Sequence, residues 1–406
     1  MSIGIVTTPQ ENILTNAPVK KAVRWLSLWQ GLWQTIAALV IGIFVLEGYF
    51  RLAGVGGQEF VQPDLKMGCR HIAGKRVIWR MEGYSADKLN SVGLRDSEHN
   101  ITKPEGTYRI AMLGDSAVES MQVKMNQTFG KVLERLLNAQ LHKTSMHNIK
   151  QFEVINFGCS SYSTGQELLQ YEQEADQYKP DAIVLLYNRS DSLENVVRAK
   201  DRKRAEARPY FYLDQSGQLQ QDNSILLANK DKLKTNVLRE FLRRNSAIYG
   251  VLTQADFSLS LNEPRYCKLK NWWQALLNLP NKFNSKQAII SKAYYADQSD
   301  MAVTKALLER LSEETKEKKR VFILTVFPNI VNYKDLKEQA QELKALAGKK
   351  DFQYLDLSDS FLACKDPTSN FLQYHFSEKG HALVAYDLFN IFCRNLSNGG
   401  GFLGVK

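Results

Sequence analysis

Short apolar stretches alternate with amphipathic ones along most of the chain, and this alternation restricts the fold more than any other feature of the sequence. Five stretches rich in Val, Ile, Leu and Phe have the length of buried strands: Arg109–Leu113, FEVINF (152–157), DAIVLLY (181–187), VFILTVF (321–327) and FQYLDL (352–357). Apolar residues at helical spacing lie between them, as in TFGKVLERLLNAQ (128–140). Strands that alternate with helices form a parallel sheet with helices on both faces. We therefore predict an α/β fold, a flavodoxin-like three-layer sandwich with a five-stranded parallel sheet.

An apolar stretch near the N-terminus, LSLWQGLWQTIAALVIGIFVLEGYF (26–50), is long enough to cross a bilayer once, and its centre at 35–46 carries no charge. Aromatic residues stand near both ends and basic residues precede it, which is the pattern of a membrane anchor whose N-terminal side stays in the cytoplasm. These flanking residues are Trp29, Trp33, Tyr49 and Phe50, and Lys20, Lys21 and Arg24. A buried core helix or a cleaved signal peptide would also be apolar, but the long polar leader and the lack of an A-x-A site argue against both. We expect a cytoplasmic tail at 1–25, a transmembrane anchor at 26–50 and an extracytoplasmic body.

The body divides into a segment at 51–106 and the predicted sandwich at 107–397. The segment 51–106 contains LNSVGLRDSEHN (89–100), in which a turn-forming glycine stands among charged residues. We expect this segment to pack on the sandwich rather than to fold alone. A long insertion, at about 196–300, interrupts the sandwich between its third and fourth strands.

The insertion opens with a basic run, RAKDRKRAEAR (198–208), and continues with a predicted hairpin around Ser216–Gly217. The stretch VLREFLRRNSAIYGVL (237–252) predicts an amphipathic helix that bears three arginines. The basic residues of the insertion could form a solvated face or a specific anion site. Because the insertion leaves the sheet beside the edge where ligands bind, it is a candidate lid or substrate-recognition module.

The net charge of +10 favours anionic surroundings such as phospholipid head groups, acidic polysaccharide or nucleic acid. The chain has neither zinc-finger spacing nor an aromatic RNA-binding signature, so we expect no nucleic-acid partner. Its five cysteines lack C-x-x-C spacing and have few histidines near them, which predicts no metal site and no cofactor. Outside the cytoplasm one or two disulfides could form, but the sequence does not select a pairing.

Ligands of an open α/β sheet bind at the carboxyl ends of the strands, so the residues that follow each strand are the candidates for chemistry. The first strand ends in Gly114-Asp115-Ser116, where the glycine allows a tight turn and the serine begins a helix whose N–H groups can stabilise an oxyanion. A Walker loop and a G-x-S-x-G elbow are both excluded, because no GK[ST] follows and Val118 replaces the last glycine. Gly158, after the second strand, could offer its N–H to an oxyanion or could be an ordinary turn glycine.

Side chains that follow the third and last strands add a donor and a base. Asn188 or Ser190 could donate a hydrogen bond after the third strand. His375 and His381, two of only six histidines, follow the last strand, and a serine nucleophile needs a base within hydrogen-bonding distance. Either histidine could instead be structural, and His381 has the stronger case because it enters the last helix.

Taken in order, the strand–GDS turn, the glycine after the second strand, the polar loop after the third and the C-terminal H-x₄-GH resemble the four blocks of the SGNH/GDSL hydrolases. The resemblance spans about Tyr108 to Arg394. The apolar N-terminal stretch, NSVGLRD, YRIAMLGDS and the long insertion are similar to those of bacterial membrane-anchored members. The resemblance implies that Ser116 is the nucleophile, that its N–H and that of Gly158 form the oxyanion hole, and that His375 is the general base. Asp115 would stabilise the turn.

Two positions depart from the family pattern. Ser190 stands where the third block usually has asparagine, so Asn188 could supply that donor instead. Leu372 stands where an acid usually precedes the histidine. His375 could then be oriented by Asp366 or by a backbone carbonyl. If no group orients it, the site is a Ser–His dyad.

The resemblance and the anchor together imply a membrane-tethered extracytoplasmic serine esterase or deacylase that acts on O-acyl esters of a cell-envelope carbohydrate or lipid. An O-acyltransferase that modifies an envelope polysaccharide would need the same nucleophile and base, with a membrane protein as acyl donor. A third hypothesis, favoured by Ser190 and Leu372, is an SGNH-fold binding module with weak or no catalysis.

Overall fold

The computed structural model describes residues 16–55, 60–80, 82–141, 149–197, 205–229, 237–262, 300–331 and 334–397. In chain order the strands are β1 (Val61–Asp64), β2 (Gly68–His71), β3 (Arg76–Trp79), β4 (Ser85–Lys88), β5 (Thr107–Gly114), β6 (Gln151–Asn156), β7 (Ala182–Tyr187), β8 (Tyr210–Leu213), β9 (Leu219–Asp222), β10 (Val321–Val326) and β11 (Gln353–Asp356). The helices are α1 (Asn16–Ala53), α2 (Ser116–Glu119), α3 (Phe129–Leu141), α4 (Thr164–Gln170), α5 (Arg189–Glu194), α6 (Ser224–Ala228), α7 (Val237–Asn245), α8 (Ala247–Asn262), α9 (Asp300–Glu317), α10 (Lys334–Lys350), α11 (Ser358–Leu362) and α12 (Glu378–Ser397).

Five parallel strands form the central sheet in the order β11-β10-β7-β5-β6, which is the order of a flavodoxin-like fold. Strands β5 and β7 are buried along their whole length because helices cover both faces. Alternate residues of β5 enter two separate cores: Ala111 packs on the side of α4, α9 and α10, and Met112 on the side of α3 and α12. The predicted five-stranded sandwich is therefore confirmed.

Helix α1 contains a span, Arg24–Ala53, with a mean hydropathy of 1.9 over its most apolar window, none of which is buried. Its length and composition are sufficient to cross a membrane. Near its C-terminal end, the Glu47 carboxylate accepts backbone N–H groups from Ala247 (2.8 Å) and Ile248 (3.1 Å) of α8.

This contact explains one difference from the sequence prediction. The amphipathic helix expected at 237–252 is divided at Ser246 into α7 and α8. Ser246 Oγ accepts from Tyr249 N (3.1 Å) and donates to Glu47 (3.0 Å), so Ser246 and Glu47 together satisfy the N-terminus of the second helix. The hairpin predicted around Ser216–Gly217 is present as β8 and β9. Most of the basic run, residues 198–204, lies outside the described residues.

The segment 51–106 forms two antiparallel hairpins, β1–β2 and β3–β4. Phe60, Val77 and Leu89 of this segment share a small apolar cluster with Met121, which follows α2. Lys75 Nζ donates to the carbonyl oxygens of Arg243 and Arg244 (3.1 Å each). The segment 51–106 thus lies between the insertion and the chain that follows β5.

Candidate active site

Ser116 is the first residue of α2, directly after the carboxyl end of β5. Gly114 has a φ of +156°, and a Cβ there would lie 2.2 Å from Val118 Cγ2, so the turn requires glycine. The Asp115 carboxylate caps the helix by accepting from Ala117 N (2.8 Å). The turn therefore places the Ser116 hydroxyl at the carboxyl edge of the sheet.

His375 lies against this hydroxyl: its Nε2 is 2.8 Å from Ser116 Oγ. The next residue, Phe376, is fully buried and stacks on Phe327 with 4.8 Å between ring centroids, which anchors the chain beside His375. Leu372 N donates to the His375 carbonyl oxygen (2.8 Å), which closes the loop before α12. The structure thus brings together the two residues that the sequence predicted as nucleophile and base.

The partner of the other ring nitrogen is Glu82, a residue that the sequence analysis did not single out. Glu82 Oε2 is 2.9 Å from His375 Nδ1 and also accepts the backbone N–H groups of Tyr374 and His375 (3.2 Å each). The Glu82 side chain is only 11% exposed. Glu82 belongs to the turn between β3 and β4 in the segment 51–106, so the acid comes from outside the sandwich.

Close packing holds this turn against the site. A Cβ on Gly83 would lie 2.2 Å from the Gln122 carbonyl oxygen and 3.1 Å from Leu372 Cδ1, so only glycine fits. Ser85 Oγ donates to the Met121 carbonyl oxygen (2.6 Å). The turn that carries Glu82 is thereby fastened to the chain just beyond the Ser116 helix.

Asp366 does not reach His375. Its carboxylate accepts from Thr368 N (3.1 Å) and Thr368 Oγ1 (2.6 Å), capping the short 3₁₀ turn Pro367–Asn370. The partner of His375 Nδ1 is Glu82. The expectations that Asp366 orients the ring, that a backbone carbonyl orients it, or that no group does are therefore corrected. Leu372 is 37% exposed beside the site.

The residues that were predicted to donate hydrogen bonds to the oxyanion differ in the bonds that they already make. The Gly158 N–H donates to Asn156 Oδ1 (2.9 Å), and a Cβ on Gly158 would lie 2.2 Å from Glu119 N. Gly158 therefore acts as a spacer against α2, and its amide is already bonded. Asn188 Nδ2 donates to Asp115 Oδ2 (2.8 Å), and Ser190 lies in the first turn of α5.

Two other backbone amides have no such partner. Within the described ranges, the N–H groups of Ser116 and Ser161 donate to no protein acceptor. Ser161 is exposed and has a φ of +65°, an uncommon conformation for a residue with a side chain. Its neighbour Ser160 donates through N (3.2 Å) and through Oγ to the Glu119 carboxylate, which places this turn against α2.

A buried ion pair joins the segment 51–106 to the Ser116 helix. His71 Nε2 is 2.5 Å from Glu119 Oε1, and His71 Nδ1 donates to the Gly93 carbonyl oxygen (2.9 Å). Burial lowers the pKa of His71, but the hydrogen bond and charge of Glu119 outweigh it and raise that pKa above its ordinary value. Burial raises the pKa of Glu119, but the hydrogen bond and charge of His71 outweigh burial and bring that pKa below its ordinary value. Each partner therefore favours the charged form of the other, and both ring nitrogens of His71 face an oxygen acceptor.

Ligand atoms of His71, Glu119 and Cys159 lie within 4.8 Å of one another, so this group has donors that a divalent metal could use. Both ring nitrogens of His71, however, already make hydrogen bonds. The absence of a metal site stays a prediction.

Buried acids lie behind the nucleophile turn. Burial raises the pKa of Asp115, and it raises those of Asp191 and Glu167 well above their ordinary range, with the neighbouring carboxylates adding to the effect in the last two. Neither carboxyl oxygen of Glu167 has a hydrogen-bond partner among the described residues. Burial and the neighbouring carboxylates thus favour the neutral form of Glu167 over the charged form.

No protein-family model and no curated protein sequence matches the chain. Among solved structures, it is similar to a protein assigned to the G-D-S-L lipolytic family from Desulfitobacterium hafniense, with 11% identity, 70% of this chain and 98% of that chain covered, and a TM-score of 0.35. The acetylxylan esterase Axe2 from Geobacillus stearothermophilus matches with 12% identity, 75% and 97% coverage and a TM-score of 0.37. The esterase EstA from Pseudoalteromonas sp. matches with 11% identity, 71% and 99% coverage and a TM-score of 0.35. The chain is thus similar to GDSL-type lipolytic proteins and esterases, at identities and TM-scores too low to argue for its activity.

Proposed function

We propose that the protein is a serine esterase that cleaves O-acyl esters of a cell-envelope carbohydrate or lipid and that is held at the membrane by α1. The observation that supports this proposal is the chain of hydrogen bonds Ser116–His375–Glu82, with both heavy-atom distances below 3 Å. A serine, a histidine and an acid in this geometry are what nucleophilic attack on an ester requires. Glu82 supplies the acid that is missing at position 372, where the chain has Leu372. The proposed triad is therefore complete, which favours an enzyme over a binding module.

In the proposed reaction, Ser116 Oγ attacks the ester carbonyl while its proton passes to His375 Nε2. The carbonyl C–O π bond opens and the tetrahedral intermediate carries the negative charge on oxygen. Glu82 keeps the proton of His375 on Nδ1 in the resting enzyme and stabilises the imidazolium that forms. His375 then gives its proton to the leaving alcohol, and water, activated by the same nitrogen, releases the acyl group from Ser116.

We infer that the amides of Ser116 and Ser161 stabilise the oxyanion. Both lack a protein acceptor within the described ranges, whereas the Gly158 amide, which the family resemblance implied, is bonded to Asn156. Ser161 is exposed, has a positive φ and follows Ser160, whose N–H donates to Glu119 of α2. Preorganised amides of this kind are among the largest contributions to acyl-transfer catalysis.

The rim of the site carries exposed aromatic side chains. Tyr374 precedes His375 and is 70% exposed, and Tyr84 follows the Glu82 turn and is 56% exposed. With Leu372, they offer exposed apolar surface on the two loops that carry Glu82 and His375. Such a surface suits a sugar ring or an acyl chain, and it supports an acylated carbohydrate or lipid as substrate.

The proposed location follows from α1. Its apolar span has basic residues on its N-terminal side, and this pattern supports an orientation with the N-terminus in the cytoplasm and the sandwich on the extracytoplasmic face. A substrate of the cell envelope would then lie within reach of the tethered site.

The nucleophile can be tested with a fluorophosphonate probe on the full-length protein in detergent. We expect stoichiometric phosphonylation, located on Ser116 by peptide mass spectrometry, and none in Ser116→Ala. The matched control is Ser216→Ala in the exposed β8–β9 turn, which should label like the wild type. Labelling of Ser116→Ala at the wild-type level would refute the proposal.

A further inference from the structure

Cys69 and Cys159 meet at the junction between the segment 51–106 and the sandwich. Cys69 lies on β2 and packs against the core cluster that includes Cys159. Cys159 is buried in the loop after β6, where its N–H donates to the Gly114 carbonyl oxygen (3.1 Å). The two thiols are close enough to influence each other's pKa. Neither is in a disulfide in this structure.

Tyr162 holds the backbones of both cysteines. Its N–H donates to the Cys159 carbonyl oxygen (3.1 Å), and its hydroxyl donates to the Cys69 carbonyl oxygen (2.7 Å). Tyr162 is itself buried in the same core. A third buried residue therefore holds the backbones of the two cysteines beside each other.

The two thiols have different surroundings. Interaction with the Cys159 thiol lowers the pKa of Cys69 despite burial, and the positive charges of Arg208 and His71 act in the same direction. The interaction with Cys69, together with burial, raises the pKa of Cys159 well above its ordinary value. Cys69 is also the more exposed of the two. Cys69 is thus suited to attack an external disulfide, and Cys159 to resolve the product.

We propose that Cys69 and Cys159 form a disulfide that joins the segment bearing Glu82 to the core beside the nucleophile helix. The inference rests on the proposed extracytoplasmic location, because disulfides persist in oxidising compartments. The oxidant is a disulfide, either of a protein oxidoreductase or of low molecular weight. The Cys69 thiolate attacks it and releases one thiolate. Cys159 then attacks the Cys69 sulfur of the mixed disulfide and releases the second, so two electrons and two protons leave the protein with the reduced oxidant.

The proposed disulfide would stabilise the attachment of the segment 51–106, which supplies Glu82 to the triad. Strand β2 precedes the β3–β4 hairpin whose turn carries Glu82, and His71 on the same strand pairs with Glu119 of α2. A disulfide at Cys69 closes a loop that includes Glu82 and Ser116 and restricts the unfolded chain. We expect the oxidised protein to unfold at a Tm about 5 °C or more above the reduced protein.

The test uses the full-length protein purified from membranes in detergent without reductant. Free thiols are alkylated before proteolysis, and non-reducing peptide mass spectrometry identifies linked cysteines. We expect a Cys69–Cys159 peptide that disappears on reduction, the Tm difference in the wild type, and loss of both in Cys69→Ser. The matched control, Cys364→Ser, should keep the linked peptide.

Incubation of the reduced wild-type protein with oxidised glutathione tests whether the two cysteines can pair, whatever the cellular compartment. This experiment does not depend on the folding of a variant. Failure to form the Cys69–Cys159 bond there, or formation of another pair in its place, would overturn the inference. Fluorophosphonate labelling is scored on the same samples. Labelling without the disulfide refutes the inference alone, and the disulfide without labelling refutes the proposed esterase alone.

Discussion

The central sheet and the segment 51–106 both deliver residues to one site, but different forces hold them there. Ser116 follows a strand that is buried along its whole length, in a turn that the sheet register positions. Glu82 comes from a hairpin of four-residue strands. The segment that contains this hairpin is joined to the chain after β5 by a small apolar cluster and by buried charges, notably Arg95 and the His71–Glu119 pair. The sandwich is therefore stabilised mostly by apolar area, whereas the position of Glu82 depends on fewer contacts, among which ion pairs and hydrogen bonds have a large share.

Among substitutions that weaken the attachment of the segment 51–106, the one at Arg95 should have the largest effect. Its fully buried guanidinium donates to the carbonyl oxygens of Glu119 (3.0 Å) and Ser120 (2.6 Å), and it pairs with Asp87. Arg95→Met should lower the free energy of unfolding by about 3–5 kcal/mol, because it leaves these groups buried and unpaired. Chemical denaturation measures this loss.

Arg135→Met is the matched control, since Arg135 is exposed and makes a single bond to the Asn126 carbonyl oxygen. It should change stability by about 0.5 kcal/mol or less. Equal stability of the two variants would mean that the segment 51–106 is not fastened through Arg95.

A smaller effect is expected at Gly83, where the fold stays intact but the acid moves. In Gly83→Ala the new methyl group would collide with the Gln122 carbonyl oxygen and push the turn away from His375. A displacement of about 1 Å should slow phosphonylation of Ser116 by about 100-fold. Gly348→Ala, in α10 with open space around it, should leave the rate unchanged. A wild-type rate in Gly83→Ala would show that the position of Glu82 does not matter.

The smallest effect concerns pH. His99, in the segment 51–106, contacts Asp96 (3.2 Å) and Glu153 of β6 (2.5 Å). Burial lowers the pKa of His99, but hydrogen bonds to these carboxylates outweigh it and raise the pKa to about 9, above the ordinary 6.5. The stabilisation is therefore complete below pH 6.5 and is lost as the pH rises through about 9.

The stability difference between wild type and His99→Asn should accordingly shrink by about 1–2 kcal/mol between pH 6 and pH 10. Denaturation curves at several pH values measure it. His381→Asn is the comparison, because burial lowers the pKa of His381 to about 3 and that ring stays neutral over this range. A constant difference for His99→Asn would contradict the ion pair.

The sheet could be predicted from sequence because each of its strands is a local run of apolar residues between helical patterns. Ser116 and His375 could be predicted too, since each stands at the end of such an element and the order of blocks resembles a known family. Local pattern was sufficient for these residues because the carboxyl ends of parallel strands meet at one edge.

Glu82 could not be predicted in this way. It is 293 positions from His375 and is one of 43 acidic residues, in a segment whose strands are too short to show a period. Its side chain reaches the ring only because Gly83 fits against Gln122, a contact between distant parts of the chain. The bonded amide of Gly158 and the division of the insertion helix at Ser246 were missed for the same reason, because Asn156 and Glu47 decide them through tertiary contact.

The central claim is that the segment 51–106 supplies the acid of the triad, and the most direct measurement is the phosphonylation rate of Ser116 in Glu82→Gln. The amide keeps the size of the side chain but removes its charge and the acceptor geometry that favours the reactive tautomer of His375. We predict a rate about 10³- to 10⁴-fold below wild type with unchanged folding, and a rate within about twofold of wild type for Asp366→Asn. A wild-type rate in Glu82→Gln, or an equal loss in Asp366→Asn, would contradict the account.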